Sequence, residues 1–217
     1  MELKESWRYA GLVLPLTQNK HPIMESFKKF IPWIILGIVV LWGVGKYNGI
    51  VGKDQEVKRT WGDVESDYQR RSDLIPNLVN TVKGYAAFEQ KTLTDVIQAR
   101  ASATQIKVDP SNLTPEKLKE FQQAQSGISS ALGRLMVISE NYPELKANQN
   151  FLDLQAQLEG TENRISVSRK RFNDAVGTYN TAIIGFPGNL VAMIGSFKEK
   201  AFFEAAEGSD KAPEVKF

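Results

Sequence analysis

Apolar positions follow two regimes along this chain: one unbroken run near the N-terminus, then spaced stripes almost to the C-terminal end. Residues 31–44 read IPWIILGIVVLWGV, and the uncharged stretch extends from Phe30 to Gly45, between Lys28-Lys29 and Lys46. A stretch of about 16 residues measures about 24 Å as a helix, which predicts a transmembrane segment at 30–46, a little short of the roughly 30 Å hydrocarbon thickness. Lys29 and Lys46 can carry their ammonium groups to the two interfaces, and Trp33, Trp42 and Tyr47 stand where interfacial aromatics belong. Ile31, Trp33, Leu36, Val40, Trp42 and Val44 are the expected lipid-facing residues. Gly45-Lys46-Tyr47-Asn48 has no small-residue cleavage pattern, so the run reads as a retained anchor and not a signal peptide. Residues 1–29 read as a tail, with Met24 a second natural start ahead of the span.

Beyond Lys46 the period becomes helical. Trp61, Val64, Tyr68, Arg71, Ile75, Leu78, Val82 and Tyr85 follow a three-four spacing, and Val96, Ala99 and Ala103 keep the same register. The phase survives Pro76, so the pattern predicts one long helix, kinked at the proline, from Tyr47 to about Ile106. The competing pattern breaks at Ser72-Asp73, with Asp73 capping a new helix and Pro76 in its first turn. Asp-Pro, Ser-Asn and Thr-Pro make 107–114 a loop, and Thr114-Pro115 opens a second helix with Leu118, Phe121, Gln125, Ile128, Leu132 and Leu135 on its inner face. Asn141-Tyr142-Pro143 then turns the chain, because the residue before proline avoids the helical region.

A third helix follows with two seven-residue seams. One holds Phe151, Leu158, Ile165, Phe172 and Tyr179; the other holds Leu154, Thr161, Ser168, Ala175 and Ala182. Large residues interleaved with small ones suit close approach of a neighbouring helix. Gly185-Phe186-Pro187-Gly188 ends it, a last helix is expected over about Asn189–Ala206, and 207–217 reads as a disordered tail. No strand alternation and no internal repeat appears. The expected class is all-α: a single transmembrane helix leading into an up-and-down four-helix bundle over 47–206 with a long, kinked first helix.

Composition narrows the chemistry. The 217 residues carry a net charge of +2 with charges interspersed, lacking the basic stripe that phosphate backbones require, so no nucleic-acid partner is expected. Cysteine is absent, and the one histidine, His21, precedes the span. The body therefore lacks thiolate and imidazole chemistry and the commonest metal ligands, which argues against an enzyme and against a cofactor or metal. The cations flanking the span are balanced, with Lys20, Lys28 and Lys29 before and Lys46, Lys53, Lys58 and Arg59 after, and set no orientation for a single-pass protein of the cell membrane.

Several ordered motifs carry a resemblance. They are Tyr47-Asn48, the run RRSDLIPNLV from Arg70 to Val79, the run VKGYAAFE from Val82 to Glu89, the run NYPELKA from Asn141 to Ala147, Asn150-Phe151, Leu154-Gln155, the run TENRI from Thr161 to Ile165, Tyr179-Asn180-Thr181, Phe186-Pro187 and Phe202-Phe203-Glu204. On these, over about 160 residues, the chain resembles the LemA family. That resemblance implies a bacterial protein with one N-terminal span and a helical, coiled-coil-like body, commonly described as cytoplasmic, although some relatives look exported. Where family members often carry histidine before the glutamate of the VKGYAAFE run, this chain has Phe88.

The residues with most interaction potential are Arg70, Arg71 and Asp73 beside Pro76, and Phe186, Phe202 and Phe203. Arg71 occupies an apolar seam position, so it either pairs inside the bundle, with Asp73, Glu140 or Glu144, or faces a partner subunit or acidic ligand. An adjacent aromatic pair cannot bury both rings on one narrow helix face, so one of Phe202 and Phe203 is expected to meet another subunit, the membrane or a hydrophobic partner. Three classes of function follow: a membrane-tethered scaffold that self-associates or binds other membrane proteins, a sensory accessory acting through the Pro76 region, and an enzyme built on carboxylates or lysines. The first fits the residues best.

Overall fold

The computed structural model describes residues 22–85 and 89–204, with side chains from residue 29 onward. Every regular element among them is helical: α1 (Pro22–Lys83), α2 (Gln90–Gln105), α3 (Pro115–Ser139), α4 (Pro143–Lys146), α5 (Gln149–Ile184) and α6 (Gly188–Gly195). The start of the expected N-terminal tail, Phe88, Ala206 and the tail 207–217 lie outside the described residues. Two units divide at Gly43 and Val44.

In the first unit the described part is the apolar beginning of α1, where every side chain from Lys29 to Trp42 is exposed. Trp33 is 71% exposed and Leu41 74%. Among the described residues α1 is the one helix long and apolar enough to cross a membrane.

The second unit is the body. The expected single helix to Ile106 ends at Lys83, where the Tyr85 N–H donates to the Val82 carbonyl at 3.0 Å in a tight turn. Glycine at position 84 weakens the helix there, yet the stripe keeps its phase because α1 and α2 address the same core: Val82, Leu93 and Val96 are all buried in one cluster. The alternative break at Ser72-Asp73 is not formed either, since α1 runs through Pro76 without interruption. Proline lacks an N–H, so the carbonyl four residues back loses its helical donor. That carbonyl belongs to Ser72, and the Arg100 Nε of α2 donates to it at 2.9 Å. A neighbouring helix thus supplies the hydrogen bond that Pro76 removes.

Thr114 caps α3 as its residue type predicts, accepting from the Lys117 N–H, with Pro115 in the first turn. The Asn141-Tyr142-Pro143 corner contains the single turn α4, after which Asn148 caps α5 by accepting from the Phe151 N–H at 3.1 Å. All five residues of the large α5 seam are buried. The last helix is shorter than expected. It stops at Gly195, where Ser196 takes a left-handed conformation with φ 56° and the Phe197 N–H reaches back to Ala192 O at 2.9 Å. Residues 197–204 then continue without helix as a strap.

The core falls into two apolar clusters. One gathers Val57, Trp61, Val64 and Tyr68 of α1 with Leu118 and Phe121 of α3, Ile165 to Ile183 of α5, Ala192 of α6 and Phe203 of the strap. The other gathers Ile75 to Val82 with α2, the later part of α3, Leu145, Phe151 and Leu158. Each fully buried large side chain contributes about 1.5–3 kcal/mol relative to exposure.

The proline account predicts a specific coupling. Arg100→Ala should destabilise the full chain in mild detergent by about 1–3 kcal/mol, the cost of a buried unsatisfied carbonyl. In a Pro76→Ala background, where a backbone N–H is restored, thermal melts should show a clearly smaller loss; equal losses in both backgrounds would disconnect the two residues.

Candidate functional site

The motif around Arg71 forms a polar constellation in the interior. Arg71 is 2% exposed. Its Nη1 donates to Ser129 Oγ at 2.9 Å on α3 and to Glu162 Oε2 at 2.8 Å on α5. Its Nη2 donates to the carbonyl oxygen and the Oε1 of Gln125, at 3.1 and 2.8 Å, and the guanidinium stands 5.1 Å from the Tyr68 ring centre. One planar fork therefore ties three helices together, a task lysine's single ammonium cannot perform. The partners differ from those the seam position suggested. Asp73 is exposed and accepts from Gln69 Nε2 at 2.7 Å, Glu140 is paired with Lys146, and the Glu144 carbonyl meets the Tyr85 hydroxyl at 3.4 Å. A side chain on α1 projects sideways to α3 and α5 and cannot turn along its own helix to Asp73, whereas Glu162 lies directly across from it. Arg70 is exposed beside it.

A second polar constellation holds the strap. Asn180 of α5 donates through Nδ2 to Lys200 O at 2.9 Å and accepts from the Lys200 N–H at 3.0 Å. Asn173 repeats the arrangement on Phe203, at 3.0 and 2.9 Å. Each asparagine amide replaces a strand partner for one strap residue. Lys200 itself is buried, with Nζ 2.9 Å from Asp54 Oδ1 and donating to Pro110 O at 2.9 Å. Phe203 enters an aromatic box: stacked on Trp61 at 5.9 Å, edge-on to Phe172 at 5.4 Å, and with the Arg169 guanidinium 4.7 Å from its ring centre. Phe202 turns away and is 46% exposed.

The local electrostatics follow from this packing. Burial alone would raise the Asp54 carboxyl, but hydrogen bonds from Lys58 and Lys200 outweigh it and hold the group below its usual value. Burial, helped by the Asp54 charge, pushes the Tyr179 hydroxyl up to about 12, while that hydroxyl donates to Lys198 O at 3.0 Å.

The third location is the corner between α5 and α6. Phe186 is 83% exposed there, beside Gly188, where an added Cβ would stand 1.9 Å from Ala182 O, so the chain can return this close to α5 only with glycine. The expected interaction residues are thus separated. Arg71 and Phe203 are interior, Arg70, Asp73, Phe186 and Phe202 are on the surface, and no common site unites them. Asn173, Asn180, Lys200, Asp54 and Arg100 were not anticipated; two asparagines seven apart, each directly following a large seam residue of α5, were the available signal. Among the described residues no three His, Asp or Glu side chains converge as metal ligands.

An all-helical body behind a long apolar N-terminal helix defines the class of protein. A family model described as "LemA family" matches residues 60–217, and the chain belongs to that family. Protein LemA of Metamycoplasma hominis is 29% identical over 192 residues, covering 87% of this chain and 84% of that protein. Magnetosome protein MamQ of Magnetospirillum gryphiswaldense is 29% identical over 182 residues, covering 76% of this chain and 67% of that protein; magnetosome protein MamQ 2 of Paramagnetospirillum magneticum is 28% identical over the same length.

Two predictions follow from these contacts. Arg71→Met should cost about 2–4 kcal/mol, below the cost of breaking a wholly buried pair because Glu162 regains water, and Arg71→Lys should recover less than half. Chemical denaturation of the full chain in detergent measures both. In a spectrophotometric titration, Tyr179 should ionise late, near 12, alongside Tyr68, which burial also pushes up, and Tyr179→Phe should remove one tyrosine from the late component. Because the folded value is the higher one, Tyr179's contribution to stability is complete below about pH 10 and is lost as pH rises through the folded value.

Proposed function

We propose that this LemA-family protein is a non-enzymatic, single-pass membrane protein in which residues 30–46 cross the bilayer and 47–206 form an up-and-down four-helix bundle serving as an interaction scaffold. The observation that carries the reading is the beginning of α1, whose large apolar side chains from Phe30 to Val44 are all exposed. In water such a surface is unfavourable, and in a bilayer it is solvated. The pairings Arg71–Glu162 and Trp61–Phe172 support opposite directions for α1 and α5, while Tyr68–Phe121 and Arg71–Gln125 support a common direction for α1 and α3.

A scaffold role is supported by how the polar residues are spent. Arg71, Asn173, Asn180 and Lys200 bind helices and strap to one another, and the surface groove between α1 and α5 contains Asp67 and Arg164 as a pair 3.8 Å apart. The names of the relatives specify no reaction. A sensory accessory would flex at Pro76, but the carbonyl freed there is held by Arg100, which favours a fixed joint. Self-association or binding of other membrane proteins then supplies the function.

Membranes bearing the full chain test this reading. The protein should stay in the pellet after alkaline carbonate washing and should migrate above the monomer mass after gentle detergent extraction, as read by light scattering. Release by carbonate would overturn the anchor, and a strictly monomeric species that co-purifies with no membrane protein would overturn the scaffold.

A further inference from the structure

The α5–α6 corner combines apolar composition with exposure. From Ala175 to Phe197 the chain has no charged residue. Part of that stretch is core, since Ile183, Gly188 and Ala192 are buried. The opposite face is uncovered: Ile184 is 57% exposed, Phe186 83%, Leu190 51%, Met193 74% and Ile194 82%. Leu190, Met193 and Ile194 are three and four residues apart and share one side of α6, so α6 is apolar both toward the core and away from it. A helix of this kind belongs between two apolar media.

The location of the corner identifies the second medium. Gly185 to Gly188 line a shallow groove with Gly45, Lys46, Gly49, Ile50 and Lys53, and Tyr47 lies 5.4 Å from Phe197 just past α6. By the reading above, the membrane segment ends at Lys46, so α6 packs against the first turns of α1 to leave the bilayer. Lys53 and Lys198 border the corner, where cations meet headgroup phosphates.

We propose that the α5–α6 corner is a membrane-docking surface: Phe186, Leu190, Met193 and Ile194 enter the interfacial layer of the leaflet on the body's side. The body then holds the bilayer at two points, the α1 span and this corner, and its tilt at the membrane is restrained. An α6 of eight residues, about 12 Å long, is too short to cross and suited to lie at the interface. The inference rests on the α1 anchor, and its test separates the two.

The chain contains no cysteine, so single-cysteine variants can be spin-labelled without background. Full-length Phe186→Cys, Met193→Cys and Ile194→Cys, with Leu36→Cys as anchor control and Val137→Cys as a distant exposed control, are placed in vesicles of phosphatidylcholine and phosphatidylglycerol. Collisional accessibility to oxygen and to an aqueous nickel chelate is compared. The three corner labels should have a severalfold higher oxygen-to-nickel ratio than the Val137 label, approaching that of Leu36. Nickel-accessible corner labels with an oxygen-rich Leu36 label would overturn the docking surface and leave the anchor standing. A nickel-accessible Leu36 label would overturn the anchor and the inference with it. Corner labels shielded from both reagents would mean that protein, such as a second copy, covers the corner, and would also overturn the inference.

Discussion

The body depends on the polar contact between its two apolar clusters. Hydrophobic burial is nondirectional, so two greasy clusters in series would leave long helices free to slide by a turn. Arg71 removes that freedom. Its fork requires Gln125 and Ser129 of α3 and Glu162 of α5 at once, and a one-turn slip of any helix, about 5.4 Å, would leave the guanidinium and the Gln125 amide buried without partners. The register it sets appears elsewhere on the same pair. Trp61 meets Phe172, and the separations from Arg71 back to Trp61 and from Glu162 on to Phe172 are both ten residues. The aromatic box is therefore in line because the arginine is.

The strap is held by a matching of two repeats. Asn173 and Asn180 are two helical turns apart, about 10.5 Å, a distance that the three residues from Lys200 to Phe203 can span as a stretched, non-helical chain of about 10 Å. A helix can thus present its amides to an extended chain at every second turn, and the chain receives strand-like hydrogen bonds without a sheet. The buried charge of Lys200 is paired with the partly buried Asp54, so this contact is directional as well. These requirements explain why the segment after Gly195 is not helical: the backbone groups of Lys200 and Phe203 are used by α5, and the Ala201 N–H donates to Leu113 O at 3.3 Å.

The helical period revealed which faces are buried, and the seams of α1, α3 and α5 are where the spacing placed them. It did not reveal where helices end when the turn preserves phase. Gly84 was present in the sequence, but Val82 and Leu93 serve the same cluster, so the stripe continued across the break. The strap was illegible for another reason. Residues 197–204 have helical composition, and partners distant in sequence, the asparagines on α5 among them, redirect them. For the interaction residues, spacing identified Arg71 as out of place in an apolar seam. Its partners were not readable, because they lie on two other helices whose offset is a property of the assembled body. Of the adjacent aromatics, one ring is buried and one is half-exposed, as a narrow face requires, although the face is that of a strap.

The position of Phe203 also gives the chain an order of assembly. Trp61, Phe121 and Phe172 are synthesised well before the ring that stacks on the tryptophan, so nascent protein carries an unfilled aromatic notch until the strap leaves the ribosome. During synthesis that notch can close only after the strap has emerged, and a chain truncated before Phe203 would leave it open, as a greasy slot accessible to any other phenylalanine.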